Sequence, residues 1–245
     1  MQRKENFAEG EFYHLYNRGN SKQEIFLDTH DRNRFVKMLY LSNSNKYINF
    51  REDIVRKKID ALDFDKGNPI ISIGAWVLMP NHFHILATIP LQTSDVGKQQ
   101  VNNSISMFMK KLCTSYSKYF NIKYKRTGGL FETNFKSSYI DTDPYSKYIF
   151  SYIHLNPIKL IDPLWKENRI KNIEKAKKFL KNYEWSSYHD YLGIKRKQGK
   201  ILSKKDFPEY FDNPKIFKKE IFEWLSFDPD ISQKSDFGLE LDGDL

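Results

Sequence analysis

Two residue pairs in this sequence are suited to chemistry: His82 with His84, and Tyr152 with Asn156. In an extended strand, residues i and i+2 project from one face about 7 Å apart. The imidazoles of His82-Phe83-His84 can therefore share a metal ion, while Phe83 and Ile85 point into the opposite layer. The competing reading is two histidines on a half-buried strand, hydrogen-bonded to their neighbours. On a helix, residues i and i+4 sit one above the other, so a phenol at 152 and an amide at 156 face one cleft. Against this, Tyr145, Tyr148, Ile149, Tyr152 and Ile153 fall at helical spacing, the pattern of a core stripe, and by spacing alone Tyr148 equals Tyr152 as a nucleophile. Taken together, the pairs describe a mechanism. A tyrosine can attack a phosphodiester when a metal polarises the phosphoryl oxygens and stabilises the developing charge. Imidazole nitrogen with amide oxygen suits Mn²⁺ or Mg²⁺ less selectively than it suits Zn²⁺, so geometry rather than affinity has to decide.

These residues need elements to position them. Phe12 to Tyr16 reads as a strand ending at the turn Asn17-Arg18-Gly19-Asn20. Asp28 can cap a helix with Phe35, Met38, Leu39 and Leu41 on its apolar positions. Residues 46–69 form an excursion in which Ile54, Val55, Ile59 and Leu62 suggest a short amphipathic helix. Ile70–Leu78 and His82–Ile89 read as two strands joined across Met79-Pro80-Asn81. Val101, Ile105, Phe108 and Leu112 mark one face of a long helix. Phe135–Ile140 follows as a strand, and Asp143-Pro144 reads as an N-cap with proline at the first helical position. That helix runs to about Asn156, where Pro157 opposes continuation. The order strand, helix, strand, strand, helix, strand, helix is a ferredoxin-like α+β pattern with one further helix. Pro214 can start a last helix with Phe217, Ile221 and Trp224 on one side.

Met79-Pro80-Asn81-His82-Phe83-His84-Ile85-Leu86, followed by Tyr152-Ile153-His154-Leu155-Asn156-Pro157, resembles the single-tyrosine HUH transposases of the IS200-like family, and among them the REP-associated tyrosine transposases. Further similar pieces are Tyr13–Gly19, Gly129–Glu132 with Phe135-Lys136, and Tyr183–Tyr188. The resemblance spans residues 10–192. It implies an HUH fold, a central antiparallel sheet flanked by helices, here with a helical C-terminal extension. It implies metal ligands at His82, His84 and Asn156, a divalent ion such as Mg²⁺ or Mn²⁺, and Tyr152 as nucleophile. The implied activity is cleavage and rejoining of single-stranded DNA at hairpins through a 5′-phosphotyrosine, which releases a 3′ hydroxyl. The chain is longer than compact relatives at 46–69 and after Tyr191. Its expected organisation is a domain at 8–192 containing that insertion, a helical extension at 193–225 and an acidic tail at 226–245. Whether it forms a homodimer is left open.

Other residues carry weaker readings. Arg18, Lys110, Lys111, Lys136 and Lys159 are candidate DNA contacts, with a solvated surface as the competing reading for the lysines. His14 alternates with Phe12 and Tyr16 and reads as a structural histidine; His154 reads as a packing or DNA-proximal residue. Cys113 reads as a buried helix residue. The aromatics at 183–191 can stack on bases or anchor the C-terminal segment, and anchoring is favoured.

Composition bounds these readings. The 245 residues carry a net charge of +9, with 40 Lys and Arg against 31 Asp and Glu, which favours a polyanionic partner. Six carboxylates against Lys234 alone make 226–245 net −5, leaving +14 on residues 1–225. A single cysteine excludes an internal disulfide and a cysteine-rich zinc site. With no apolar run near the roughly 18 residues of a membrane span and no signal-like start, a soluble cytoplasmic protein with no membrane partner is expected. Two other functions stay open: a non-catalytic hairpin-binding protein derived from such a transposase, and a phosphoester hydrolase that uses activated water.

Overall fold

The computed structural model describes residues 7–91, 103–165, 170–209 and 213–226. Four strands, β1 (Phe12–Arg18), β2 (Ser72–Met79), β3 (His82–Thr88) and β4 (Lys136–Ile140), form one sheet in the order β2-β3-β1-β4. Every neighbouring pair is antiparallel. With α1 (Thr29–Ser42) between β1 and β2, and α2 (Ser104–Lys123) between β3 and β4, this is the ferredoxin-like arrangement. It is followed by α3 (Asp143–Leu155), α4 (Ile173–Asn182), the single turn α5 (Tyr188–Tyr191) and α6 (Pro214–Ser226).

Register divides the sheet into two chemically different faces. Opposite residues in an antiparallel pair share a face. Tyr16 pairs with His84 and Lys136, His14 with Leu86 and Ser138, and Arg18 with His82. Val77 and Met79 of β2 stand opposite His84 and His82. The other face carries Trp76, Leu78, Phe83, Ile85 and Leu15, which bury against Phe35 of α1 and Ile105, Phe108 and Leu112 of α2. On the histidine face, Ala75, Val77, Met79 and Leu86 pack with Ile149, Phe150 and Ile153 of α3 and Phe217, Ile221 and Leu225 of α6. The second core is thus closed by segments after residue 193, including Phe207.

The caps follow local chemistry. Asp28 caps α1 in a reciprocal box with Asp31, as its position foretold. Asp31 is fully buried and also accepts from Tyr119 Oη (2.8 Å), Tyr124 Oη (2.7 Å) and Lys123 Nζ (2.7 Å), which ties α1 to the end of α2. Burial pushes its carboxyl up, but the bonds from Lys123 and the two phenols outweigh it and hold the group below the usual carboxylate range.

Several boundaries differ from expectation. The cap of α3 is Thr142, whose hydroxyl accepts from the Tyr145 N–H (3.3 Å); Asp143 is the first helical residue. Both residues can cap, and the backbone of Thr142 is the extended one. The helix ends at Leu155, and Asn156–Leu160 continues as a 3₁₀ turn. Met79 still belongs to β2, so Pro80 and Asn81 alone make the hairpin turn. The excursion holds one π-helical turn, Phe50–Arg56, instead of an amphipathic helix: Ile54 and Leu62 are buried, but Val55 and Ile59 are exposed. Val101 and the acidic tail lie outside the described residues.

A β-bulge between Ile73 and Ala75 sets Gly74 against Phe207, where a Cβ would sit 2.6 Å from the ring. Gly74→Ala is expected to cost about 1–3 kcal/mol in urea unfolding. Because the strain is shared with Phe207, Gly74→Ala with Phe207→Leu is expected to lose less than the two single variants summed.

Candidate active site

The β2–β3 turn is clamped from outside. The Pro80 carbonyl accepts from the N–H groups of Ile25 (2.9 Å) and Phe26 (3.1 Å), and the Asn81 carbonyl from Gly19 N–H (2.8 Å). Asn81 Nδ2 donates to the Lys22 carbonyl (3.2 Å). That bond orients the amide and turns its oxygen to His82 Nδ1, 2.6 Å away. An amide oxygen only accepts, so Nδ1 carries the proton and Nε2 keeps its lone pair. Burial, and then the charge of Lys159, push the His82 imidazole down to about 4. It is therefore neutral at pH 7, the form a metal requires.

His84, on the same face, is fully buried, with its ring centroid 4.9 Å from that of His82. Its Nδ1 lies 2.9 Å from His14 Nε2, and its Nε2 lies 3.5 Å from Asn156 Nδ2. A ligating histidine commonly donates its second N–H to a fixed acceptor. His14 stands where that acceptor would be, contacting the site through His84. Its alternation with Phe12 and Tyr16 was visible, but the register that sets it beside β3 was not.

From α3, Tyr152 brings its ring edge-on to His84, at 5.4 Å between centroids, and to His14 at 6.1 Å. Tyr148 stacks behind it (6.0 Å, 12° between planes) and packs on Trp224 of α6 (5.4 Å). Burial pushes the Tyr148 phenol up to about 12. The fold thus brings Tyr152, not Tyr148, against the histidines. Asn156 is buried one turn further on, and its Oδ1 has no hydrogen-bond partner. A buried polar atom without a partner costs about 1–3 kcal/mol.

Two imidazoles and an orphaned amide oxygen converge, so the residues fit a divalent cation. Among the described residues, no group of three or more His, Cys, Asp and Glu is placed to hold one. A cation here would take its third protein donor from the Asn156 amide.

The candidate DNA contacts are scattered. Arg18 is engaged by Glu132 through two bonds, Nε to Oε1 (3.0 Å) and a second guanidinium nitrogen to Oε2 (3.2 Å). Lys110 and Lys111 lie on α2, across the sheet from the histidines, and Lys111 Nζ donates to the Ser44 carbonyl (2.8 Å). Arg18 thus stands beside His82 in the β1–β3 register while paired to Glu132, and the two lysines lie on the opposite face of the sheet. Lys136 is exposed, its Nζ 5.9 Å from the Tyr16 ring centroid, and Lys159 borders His82.

His154 points away from the site. It is fully buried, donating from Nδ1 to the Phe150 carbonyl (2.8 Å) with Nε2 2.8 Å from Ser187 Oγ, and burial pushes it down to about 3. The aromatic segment at 183–191 anchors the chain. Ser186 bridges Val77 antiparallel, Leu78 N–H donates to Trp185 O (2.8 Å), and Ser187 N–H to Trp76 O (2.9 Å). Tyr191 Oη donates to the Gly74 carbonyl (2.5 Å). Cys113 packs on the first core, where burial pushes its thiol up to about 12.

No helix among the described residues is long and apolar enough to cross a membrane. No protein-family model matches the chain, and no curated protein matches it. Among solved structures, one described as a REP-associated tyrosine transposase bound to a REP hairpin is similar to this chain, covering 81% of it and 90% of that chain at 13% identity with a TM-score of 0.44.

Proposed function

We propose that the chain is a metal-dependent enzyme that cleaves and rejoins single-stranded DNA, acting at hairpins through a phosphotyrosine. The observation that carries this reading is the convergence of Tyr152 on His84 beside the orphaned Asn156 Oδ1. His82, His84 and Asn156 would hold the ion. When bound, a divalent cation supplies charge stabilisation to the phosphoryl oxygens. Tyr152 Oη forms a bond to phosphorus, its proton passes to solvent, and the P–O3′ bond breaks. The leaving oxygen takes a proton and becomes a 3′ hydroxyl, while the 5′ phosphate stays on Tyr152. Attack by a 3′ hydroxyl on that phosphotyrosine reverses the step and joins strands, because the ester conserves the bond. Net charge is consistent with the substrate, since residues 1–225 carry +14.

The test is incubation of the full-length protein with labelled single-stranded DNA hairpins of varied sequence in Mn²⁺ or Mg²⁺. The expected result is a DNA–protein adduct that survives denaturation and disappears when EDTA replaces the ion. Binding with no adduct under any of these conditions would leave the non-catalytic hairpin-binding reading in its place.

A further inference from the structure

A cleft of about 400 Å³ opens on the outer side of His82. Its lining includes Lys22, Glu24, Asn81, His82, Lys159 and Leu160. It adjoins the histidine pair without containing Tyr152 or Asn156. Three observations bear on what it could hold.

The first is its size. Ligand pockets run from about 300 to 1,000 Å³, so this one suits a single nucleotide unit.

The second is how the two lysines are carried. Lys159 belongs to the 3₁₀ turn Asn156–Leu160. In a 3₁₀ turn, residues i and i+3 eclipse one another, so Lys159 is presented on the same side as Asn156. It lines the cleft together with His82. Lys22 sits on a turn in which Ser21 and Lys22 both take left-handed backbone, φ 53° and 59°. Such conformations cost about 1–3 kcal/mol each in non-glycine residues and persist only where the surroundings impose them. Here the surroundings are specific. Lys22 N–H donates to the Gly19 carbonyl (3.0 Å), and the Lys22 carbonyl accepts from Asn81 Nδ2 (3.2 Å), the amide that orients His82. At Gly19 a Cβ would overlap the Gln23 carbonyl, so the turn has no slack. One cationic arm is thus fastened to the residue that sets the His82 tautomer, and the other to the turn that carries Asn156.

The third is the character of the walls. Leu160 is 42% exposed and, with Pro80 and Pro163, gives apolar surface for a base. Glu24 is the carboxylate of the lining; it disfavours a second phosphate and can accept from an exocyclic amine.

We propose that this cleft is a nucleotide subsite: it takes one nucleotide of the single strand beside the phosphodiester that faces Tyr152, its phosphate held by Lys22 and Lys159 and its base against Leu160 and Pro163. The proposal rests on the DNA-cleavage reading for its occupant. It goes further by assigning the residues that hold the strand next to the bond broken.

The test uses the full-length protein and a fluorescein-labelled, mixed-sequence single-stranded 12-mer in EDTA, so that no cleavage is needed. Affinity is measured against KCl concentration for the wild type, Lys22→Ala, Lys159→Ala and the double variant. Lys110→Ala, across the sheet, is the reference for loss of one surface charge. The double variant is expected to bind about 5–20-fold more weakly at 100 mM salt, with the slope of log K against log salt shallower by about 0.7 per lysine. A local probe comes from Leu164→Cys, 54% exposed beside the cleft, labelled with an environment-sensitive dye; the Cys113 thiol, partly buried against the first core and pushed up to about 12, is the background, measured on the protein without Leu164→Cys. Oligonucleotide binding is expected to change the dye emission, and the change is expected to vanish in the double lysine variant. A double variant indistinguishable from Lys110→Ala, or saturating binding without a change in emission, would overturn the subsite. Adduct formation is scored separately: a wild type that binds but forms no adduct removes the proposed activity, while slope and emission still decide the cleft.

Discussion

Tyr152→Phe is expected to abolish the covalent DNA adduct, lowering strand cleavage by about 10⁴-fold or more toward the uncatalysed background. The substitution removes one oxygen and leaves the ring where it packs against His84 and Tyr148. Folding and metal binding should therefore be preserved, which thermal unfolding with and without Mn²⁺ can check. Tyr148→Phe is the matched control. Its ring serves as backing between Tyr152 and Trp224, and ring stacking survives loss of the hydroxyl. Its effect on adduct yield is expected to stay below about tenfold. An adduct that persists in Tyr152→Phe and is lost in Tyr148→Phe would move the nucleophile one turn back along α3. Cleavage that continues in Tyr152→Phe with no adduct in either protein would point to activated water and an ordinary phosphoester hydrolase.

The largest effect on stability is expected at Asp31. Asp31→Ala should lower the unfolding free energy by about 3–5 kcal/mol, the cost of breaking a buried, hydrogen-bonded charge network by removing one member. Lys123 keeps Asp28 as a partner, but the hydroxyls of Tyr119 and Tyr124 lose their shared acceptor, and the N–H of Leu27 loses its bond. The effect depends on pH with a definite sign. The folded Asp31 carboxyl lies below its unfolded value of about 3.9. Its stabilisation is complete above that unfolded value and fades as pH falls through the lower folded one. Wild type and Asp31→Ala should therefore differ by a constant amount at neutral pH, and the gap should narrow below about pH 4. Urea unfolding at pH 7, 4 and 3 reads both quantities. A gap that widened with acid would contradict the network.

How much of this was legible in the residues depended on whether one element or two carried the information. The strand period alone set His82 and His84 on one face and Phe83 on the other, and the packing shows that division. Element order alone matched the ferredoxin-like sheet. The relation of Tyr152 to Tyr148 could not be read from spacing, because the choice is made by the rotation of α3 on the sheet. His14 required the β1–β3 register. The partner of Arg18, Glu132, lies 114 residues away and is invisible to local spacing. Val55 and Ile59 share one apolar face only on a continuous α-helical period; Val55 falls in a π-helical turn that ends at Arg56, and Ile59 lies beyond it. Asp143 and Thr142 both had capping chemistry, and the backbone chose between them.

The pairing of Ser186 and its neighbours with the outer side of β2 has a consequence for synthesis. The hydrogen bonds that cover this strand come from residues 111 positions later, as in Trp76 N–H to Ser187 Oγ. At about 5–20 residues per second, β2 leaves the ribosome with its outer backbone groups unpaired for about 5–20 s. During that interval the nascent chain carries an open edge of eight buried-type residues, Ser72–Met79. Protein truncated before residue 184 would keep that edge unpaired, and an unpaired edge strand is a template for strand-to-strand association.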